Sequence, residues 1–324
     1  KELGHPYFTD VTKEAGILIE GFGLGVCVSD LNQDGWKDIF VSNDYLTNDL
    51  LWINNKDGTF TDKSSEYFKH TSYSSMGNNI IDFNNDGLNE VIELDMMPDD
   101  NFRRKTMLTE NNYNTYINND RYKYAYQFVR NTLQQNQGFV NDKPIYSEIA
   151  MMSGVSGTDW SWAPIVGDYD NDGFNDLIIT NGFPKDITDR DFIDYQTQIA
   201  RFTKKETLLS IIPEVKLKNY AFRNISEDNG IVLFEDVTEK WGITKPTFSN
   251  GAAHGDLDND GDLDYIVNNI DGEANVFKNN SEKFNENNWI KIKLVGKENN
   301  INAIGATVEL FSEGKYKFYE NNPF

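Results

Sequence analysis

Apolar residues along this chain cluster in short, β-branched runs, each joined to the next by a turn rich in Asp, Asn and Gly. Gly23-Leu24-Gly25-Val26-Cys27-Val28-Ser29 leads into the polar stretch Asp30 to Asp38. Ile39-Phe40-Val41-Ser42-Asn43 follows. Val91-Ile92-Glu93-Leu94, Leu177-Ile178-Ile179-Thr180 and Tyr265-Ile266-Val267 each follow a similar polar stretch. Runs of this length and composition between turn signals read as strands.

The polar stretches form an internal repeat. Asp30, Asn32, Asp34, Gly35 and Asp38 recur at the same offsets as Asp82, Asn84, Asp86, Gly87 and Glu90. They recur again as Asp168, Asp170, Asp172, Gly173 and Asp176, and as Asp256, Asp258, Asp260, Gly261 and Asp264. Copies beginning at 30, 82, 168 and 256 are 52, 86 and 88 residues apart. The shortest step suits one four-stranded propeller blade of roughly 40–50 residues. The expected fold is therefore an all-β propeller.

Further strands of the first blade are expected at Asp49–Asn54 and Thr59–Asp62, across a turn at Asp57-Gly58. A matching pair flanks Asn229-Gly230, with Phe222-Arg223-Asn224 before it and Val232–Asp236 after it. Two insertions account for the longer steps. One, at about 98–128, is polar and rich in Asn and Tyr; the other covers about 184–218. Within the second, residues from about 186 to 212 read as helical: Phe192, Tyr195, Ile199 and Phe202 are spaced by three or four and Pro213 ends the run. Insertions in repeat proteins map to one face, often the binding face, although they also serve to cover a blade edge.

The repeated turn is chemically suited to a hard cation. Side chains at positions 1, 3 and 5 converge, glycine at 6 permits a sharp turn, and a carboxylate at 9 completes the set. The carbonyls of the seventh residues, Trp36, Leu88, Phe174 and Asp262, are expected to add a backbone oxygen. Calcium takes six to eight such oxygens in flexible geometry. The frame is shorter than the twelve-residue EF-hand loop and is flanked by strands. Up to four Ca²⁺ are expected. The alternative is a set of acidic β-turns, which four copies in one strand-turn-strand setting make the poorer reading.

Charge changes the picture in two ways. A net charge of −22 argues against nucleic acid or an anionic membrane surface as partner. The four loops hold 15 acids, and four dications would bring −22 to −14, so metal is expected to stabilise the fold. Sites of the extracellular class bind at about 10⁻⁴–10⁻³ M, and cytosol would leave them empty. An extracytoplasmic setting follows as an expectation. An aromatic share of 13% argues for a packed core.

Cys27 is the single cysteine, which excludes an intrachain disulfide and a zinc-thiolate site, and its apolar surroundings read as a buried strand. No apolar run is long enough to span a membrane. No signal peptide is visible, but the first residues run straight into a repeat and the last stop in mid-pattern, as in a piece of a longer protein.

At these loops the chain resembles the FG-GAP/VCBS repeat proteins, whose blades carry calcium loops like those of integrin α-subunit propellers. Phe8–Thr12 with Ala15-Gly16-Ile17, and Phe234–Thr238 with Trp241-Gly242-Ile243, resemble an edge segment of the cartilage-acidic-protein-like branch. Asn288–Leu294 with Asn302–Ala306 is similar to the opening of an ASPIC/UnbV domain. Arg130–Gln134 and Thr158–Trp162 are similar to segments of large Bacteroidota surface proteins. The resemblance implies about seven blades in an intact ring over 1–287, a truncated second β domain from 288, and mostly non-enzymatic roles. Its implied settings include a lipoprotein subunit of an outer-membrane complex.

Catalytic constellations are weak. His254 precedes the fourth loop and reads as a strand-end residue, and His5 and His70 have no recognisable context. No glycine-rich phosphate loop follows a strand. Trp160 and Trp162, with Trp36, Trp52 and Tyr169, suit either blade packing or a sugar platform, packing being favoured. The Tyr- and Asn-rich stretch from Asn111 to Tyr126 suits a recognition surface or a plain polar loop. The expectation is a non-catalytic module for a protein or glycan partner. The alternative is a calcium-dependent polysaccharide lyase or hydrolase drawing on Arg103, Arg104, Lys105 or Tyr113.

Overall fold

The computed structural model describes residues 8–45, 47–107, 112–199, 202–284, 287–312 and 314–322. Three four-stranded antiparallel sheets and one three-stranded sheet follow one another along the chain. Sheet one is β1 (Gly23–Ser29), β2 (Asp38–Asn43), β3 (Leu50–Asn54) and β4 (Phe60–Asp62), paired in sequence order. Helix α1 (Ser64–Tyr67) and β5 (Thr71–Ser72) connect it to sheet two. There, β6 (Asn78–Ile81) and β7 (Glu90–Glu93) come first. Next come α2 (Asn101–Thr106), α3 (Tyr113–Tyr122) and β8 (Gln127–Phe128), which pairs in parallel with β5. Strands β9 (Thr132–Val140) and β10 (Lys143–Glu148) complete that sheet, and α4 (Ala150–Ser153) leads out of it.

Sheet three runs β11 (Ser161–Gly167), β12 (Asp176–Asn181), β13 (Tyr220–Asn224) and β14 (Phe234–Asp236). Helices α5 (Arg190–Ile199) and α6 (Lys205–Ser210) lie between its second and third strands. Sheet four is β15 (Ser249–Gly255), β16 (Asp264–Asn269) and β17 (Asn275–Phe277). A hairpin, β18 (Thr307–Ser312) with β19 (Lys315–Glu320), ends the described chain.

The sheets stack face to face, and this explains why their middle strands are apolar throughout instead of alternating. Along β7, Val91 faces the core shared with sheet one and Ile92 the core shared with sheet three. Along β12, Leu177 and Ile179 face sheet two while Ile178 faces sheet four. A strand with both faces buried needs hydrophobic residues at both parities. The leading strands β1, β6, β11 and β15 lie side by side in that order. They approach so closely that a Cβ on Gly25 would strike the Met76 carbonyl, and one on Gly77 the Trp162 carbonyl.

Both insertions leave from the same place in their sheets, between the second and third strands, at the edge opposite the repeated turns. They are joined there. Arg103 of α2 donates to both oxygens of Asp159 at 2.9 and 3.0 Å and to Asp186 at 2.8 Å, and Met107 bridges to Asp189. The first insertion is more helical than its polar sequence indicates. Asn112 caps α3 by accepting from the Thr115 N–H, and Asp100 caps α2 by accepting from the Arg103 N–H. Capping thus supplies what apolar periodicity does not. The expected helical run over about 186–212 is two helices, because Lys204 takes an extended backbone before α6. Segment 288–294 forms no strand. The hairpin beyond it folds back across the repeated turns.

Candidate metal centres

Each repeated turn joins the first two strands of its sheet, and the first three are held by the same hydrogen bonds within the turn. The position-1 carboxylate accepts from the glycine N–H at position 6: Gly35 to Asp30 at 2.8 Å, Gly87 to Asp82 at 2.9 Å and Gly173 to Asp168 at 2.9 Å. The position-5 carboxylate accepts from the N–H of residue 7, at 2.9 Å in the first loop, 2.8 Å in the second and 2.9 Å in the third. Gly35, Gly87, Gly173 and Gly261 all have positive φ, between 82° and 98°, a region closed to most side chains.

The carboxylate at position 9 has a second task. One of its oxygens accepts from the N–H of residue 2: Leu31 to Asp38, Phe83 to Glu90, Tyr169 to Asp176 and Leu257 to Asp264, at 2.8–3.1 Å. In three loops its other oxygen accepts from the N–H of an asparagine just after or at the end of the third strand. These are Asn54 at 2.9 Å, Asn224 at 2.8 Å and Asn279 at 2.9 Å. The same asparagines donate their amides to the carbonyl of residue 8, which is Lys37, Asn175 or Leu263. Sequence reasoning missed this set, although an Asn closing the third strand of three sheets is a visible signal.

Position 4 was missed too. Gln33, Asn85, Asn171 and Asn259 all adopt left-handed backbone, φ 53–62°. Gln33 donates to the Gly87 carbonyl at 2.7 Å, Asn85 to that of Gly173 at 3.2 Å and Asn171 to that of Gly261 at 3.4 Å. Each loop is thus fastened to the next.

The structure brings the expected ligands together in the third and fourth loops. Carboxylate oxygens of Asp168, Asp170 and Asp176 lie within 4.8 Å of one another, as do those of Asp256, Asp258 and Asp260. Asp260, Asp262 and Glu282 form a further group, and Glu282 was not expected from sequence. Asn32 and Asn84 replace a carboxylate in the first two loops; each accompanies Asp34 or Asp86, to which its amide donates at 3.0 or 3.1 Å. The seventh residues Trp36, Leu88, Phe174 and Asp262 follow the glycine in every copy.

Burial, with mutual repulsion, raises several acids of the first three loops. Burial pushes Asp38 up to about 7, aided by Asp30 and Asp34. It pushes Asp82 and Asp168 to about 6 and Asp176 to about 8, and Glu90 lies well above the usual range. Buried oxygens also stand without a hydrogen-bond donor: Asn84 Oδ1, Asp168 Oδ1 and Asp256 Oδ1. An unsatisfied buried acceptor is costly. A hard cation is the species that satisfies such an oxygen and lowers its acid at the same time, so the donor set fits calcium.

Residues 30–92 match the family model of the FG-GAP-like repeat. The chain carries an FG-GAP-like repeat. The match begins at Asp30 and ends in β7, so the repeat contains the first two acidic loops. The third and fourth loops reproduce the frame of this FG-GAP-like repeat bond for bond at positions 2 and 9. No curated protein matches the chain.

Among the other expected residues, Trp160 stacks on Phe183, centroids 4.8 Å apart, and Trp162 donates to the Gly182 carbonyl. With Trp52 buried in sheet one and Trp36 exposed on the first loop, the five aromatics form no common platform. His254 lies on β15, where the Tyr169 hydroxyl is 3.2 Å from its Nδ1 and burial lowers its pKa. His70 and Arg130 converge on Glu148. Cys27 is buried and its thiol is raised to about 11. Arg103 is committed to two aspartates and Arg104 to the Pro98 carbonyl, while Tyr113 is exposed on α3, so these do not assemble beside the acidic loops. His5 and Asn111 lie outside the described residues. Among those residues no helix is long and apolar enough to cross a membrane.

Proposed function

We propose that the chain is a calcium-binding, non-catalytic β-propeller segment that serves outside the cytoplasm as an interaction module for a protein or glycan. The observation that carries this reading is the repeated loop frame with donor-less buried oxygens at Asn84, Asp168 and Asp256. Calcium at each loop would be held by the residues at positions 1, 3, 5 and 9 and by the carbonyl at 7. Its contribution is neutralisation of crowded carboxylates at the junction of each sheet's first two strands.

Side-by-side leading strands and face-to-face sheets support a propeller, with the four sheets as consecutive blades and further blades completing the ring. The stretch from 288 is read as the opening of an ASPIC/UnbV-like domain, and the setting as a Bacteroidota surface assembly. Up to four ions of millimolar affinity suit an extracellular milieu. Thermal melting in about 2 mM calcium and then in chelator tests the reading. At about 2 mM calcium, one site with a Kd of about 10⁻⁴ M adds about 1.8 kcal/mol. An unchanged midpoint removes the proposal.

A further inference from the structure

A cleft of about 610 Å³ opens between sheets three and four. Its floor is apolar: Ile178 and Tyr265 are buried, with Leu263 and Phe277 packed beside them. Tyr169 and Trp241 form an aromatic corner, ring centroids 6.1 Å apart. Three cations, Arg223, Lys240 and Lys278, stand around it against one lining carboxylate, Asp170.

Two of those cations are tied to loop carboxylates. Arg223 forms an ion pair with Asp170 at 2.7 Å and donates to Asp172 at 2.8 Å. Lys278 pairs with Asp258, and with Asp260 at 3.2 Å. These four carboxylates are the third- and fourth-loop oxygens assigned above to calcium. We propose that the cleft binds a carboxylate-bearing saccharide, and that calcium in these two loops enables it by releasing Arg223 and Lys278. This rests on the calcium reading and adds a ligand class and a switch to it.

A dication on the same oxygens both displaces the two side chains and repels them at short range. Their backbones, on β13 and just past β17, leave the cleft as the adjacent space for the freed charges. Calcium also neutralises Asp170, removing the one lining carboxylate. The result is a concave site within the size range of small-ligand pockets, with the half-buried Trp241 ring, backed by Tyr169, for a pyranose and cations for its carboxylates. An acidic peptide would meet the same cations but leave the Tyr169–Trp241 corner unused.

Trigalacturonate is titrated by calorimetry and tryptophan fluorescence in about 2 mM calcium and in EGTA, with maltotriose and hexa-aspartate as comparisons. Expected are saturable trigalacturonate binding in calcium, at least about tenfold weaker in EGTA, and weaker binding of both comparison ligands. Arg223→Gln and Lys278→Gln each weaken trigalacturonate about tenfold while raising calcium affinity, since a competitor for the carboxylates is gone. A merely structural role would not move the two affinities in opposite directions. Equal affinity in EGTA, in Lys278→Gln, or for hexa-aspartate overturns the inference. Calcium uptake is measured separately without saccharide. Uptake without trigalacturonate binding overturns this inference alone, whereas no uptake overturns it together with the calcium reading.

Discussion

The second and fourth loops share one frame but live in different surroundings. In the second, Asp82 is 2% exposed and Asn84 and Glu90 are fully buried. Neighbours hold it from both sides: Gln33 reaches in from the first loop, Asn85 reaches out to the third, and Asn84 donates to the Gly230 carbonyl at 2.7 Å. In the fourth loop Asp258 is exposed, and Lys278, Lys291 and Trp289 supply the neighbouring groups. A motif therefore does not fix its own energetics. In the interior loop, the geometry of the candidate ligands is built in by the stacked sheets and the acids are raised. In the end loop a cation would have to compete with lysine for oxygens that water also reaches.

Substitutions that remove a loop's closing asparagine should break this contrast most visibly. Asn224 is 1% exposed, donates to the Asn175 and Phe83 carbonyls, and accepts from the Ser226 N–H and hydroxyl. Asn224→Ala should cost about 4 kcal/mol by chemical denaturation, since several buried partners are orphaned together. Its counterpart Asn279→Ala, where water can replace the amide, should cost less than half as much. Equal losses would contradict the assigned difference in burial.

Asp82→Ala should cost about 3 kcal/mol in chelator, because the Gly87 and Asp86 N–H groups lose their acceptor, and should also remove the calcium response of the second loop. Asp258→Ala should leave the chelator midpoint nearly unchanged and lower only the calcium stoichiometry.

A third prediction uses the opposite edge, where acids are crowded without a loop frame. Asp49 and Glu93 are buried together; burial first, and then each other's charge for Asp49, hold Asp49 well above the usual range, while burial lifts Glu93 to about 7. Both folded-state values are raised, so the folded chain holds protons that the unfolded chain releases. Their contribution to stability is present below the unfolded values and is lost as pH rises, for Glu93 from about 4.5 through about 7. Melting in chelator should therefore show a midpoint falling over that window, and Glu93→Gln should flatten the fall. The smallest effect is expected for Gln33→Ala, about 1 kcal/mol, from the single hydrogen bond fastening the first loop to the second.

Much of this was legible in the sequence because a repeat multiplies a weak signal. The spacing of Asp, Asn and Gly identified all four turns, and the runs around them matched strands: β3 at Leu50–Asn54 and β4 at Phe60–Asp62 lie within the expected segments. The first insertion was harder to read, because its helices bury no residue and rest on caps at Asp100 and Asn112. The aromatic cleft was hidden as well. Tyr169 and Trp241 lie far apart in sequence, and the cleft arises from the packing of sheet three against sheet four. Position 4 and the closing asparagines were overlooked because their role is to fasten a turn to a neighbour, which no single turn displays.

Counting bound metal tests the central claim most directly. The chain is dialysed to equilibrium against about 2 mM calcium and its calcium is measured per mole of protein by elemental analysis. The account predicts up to four ions, lowered by one in Asp168→Ala and unaffected by Glu93→Gln. A chain that takes up no calcium under these conditions would contradict it.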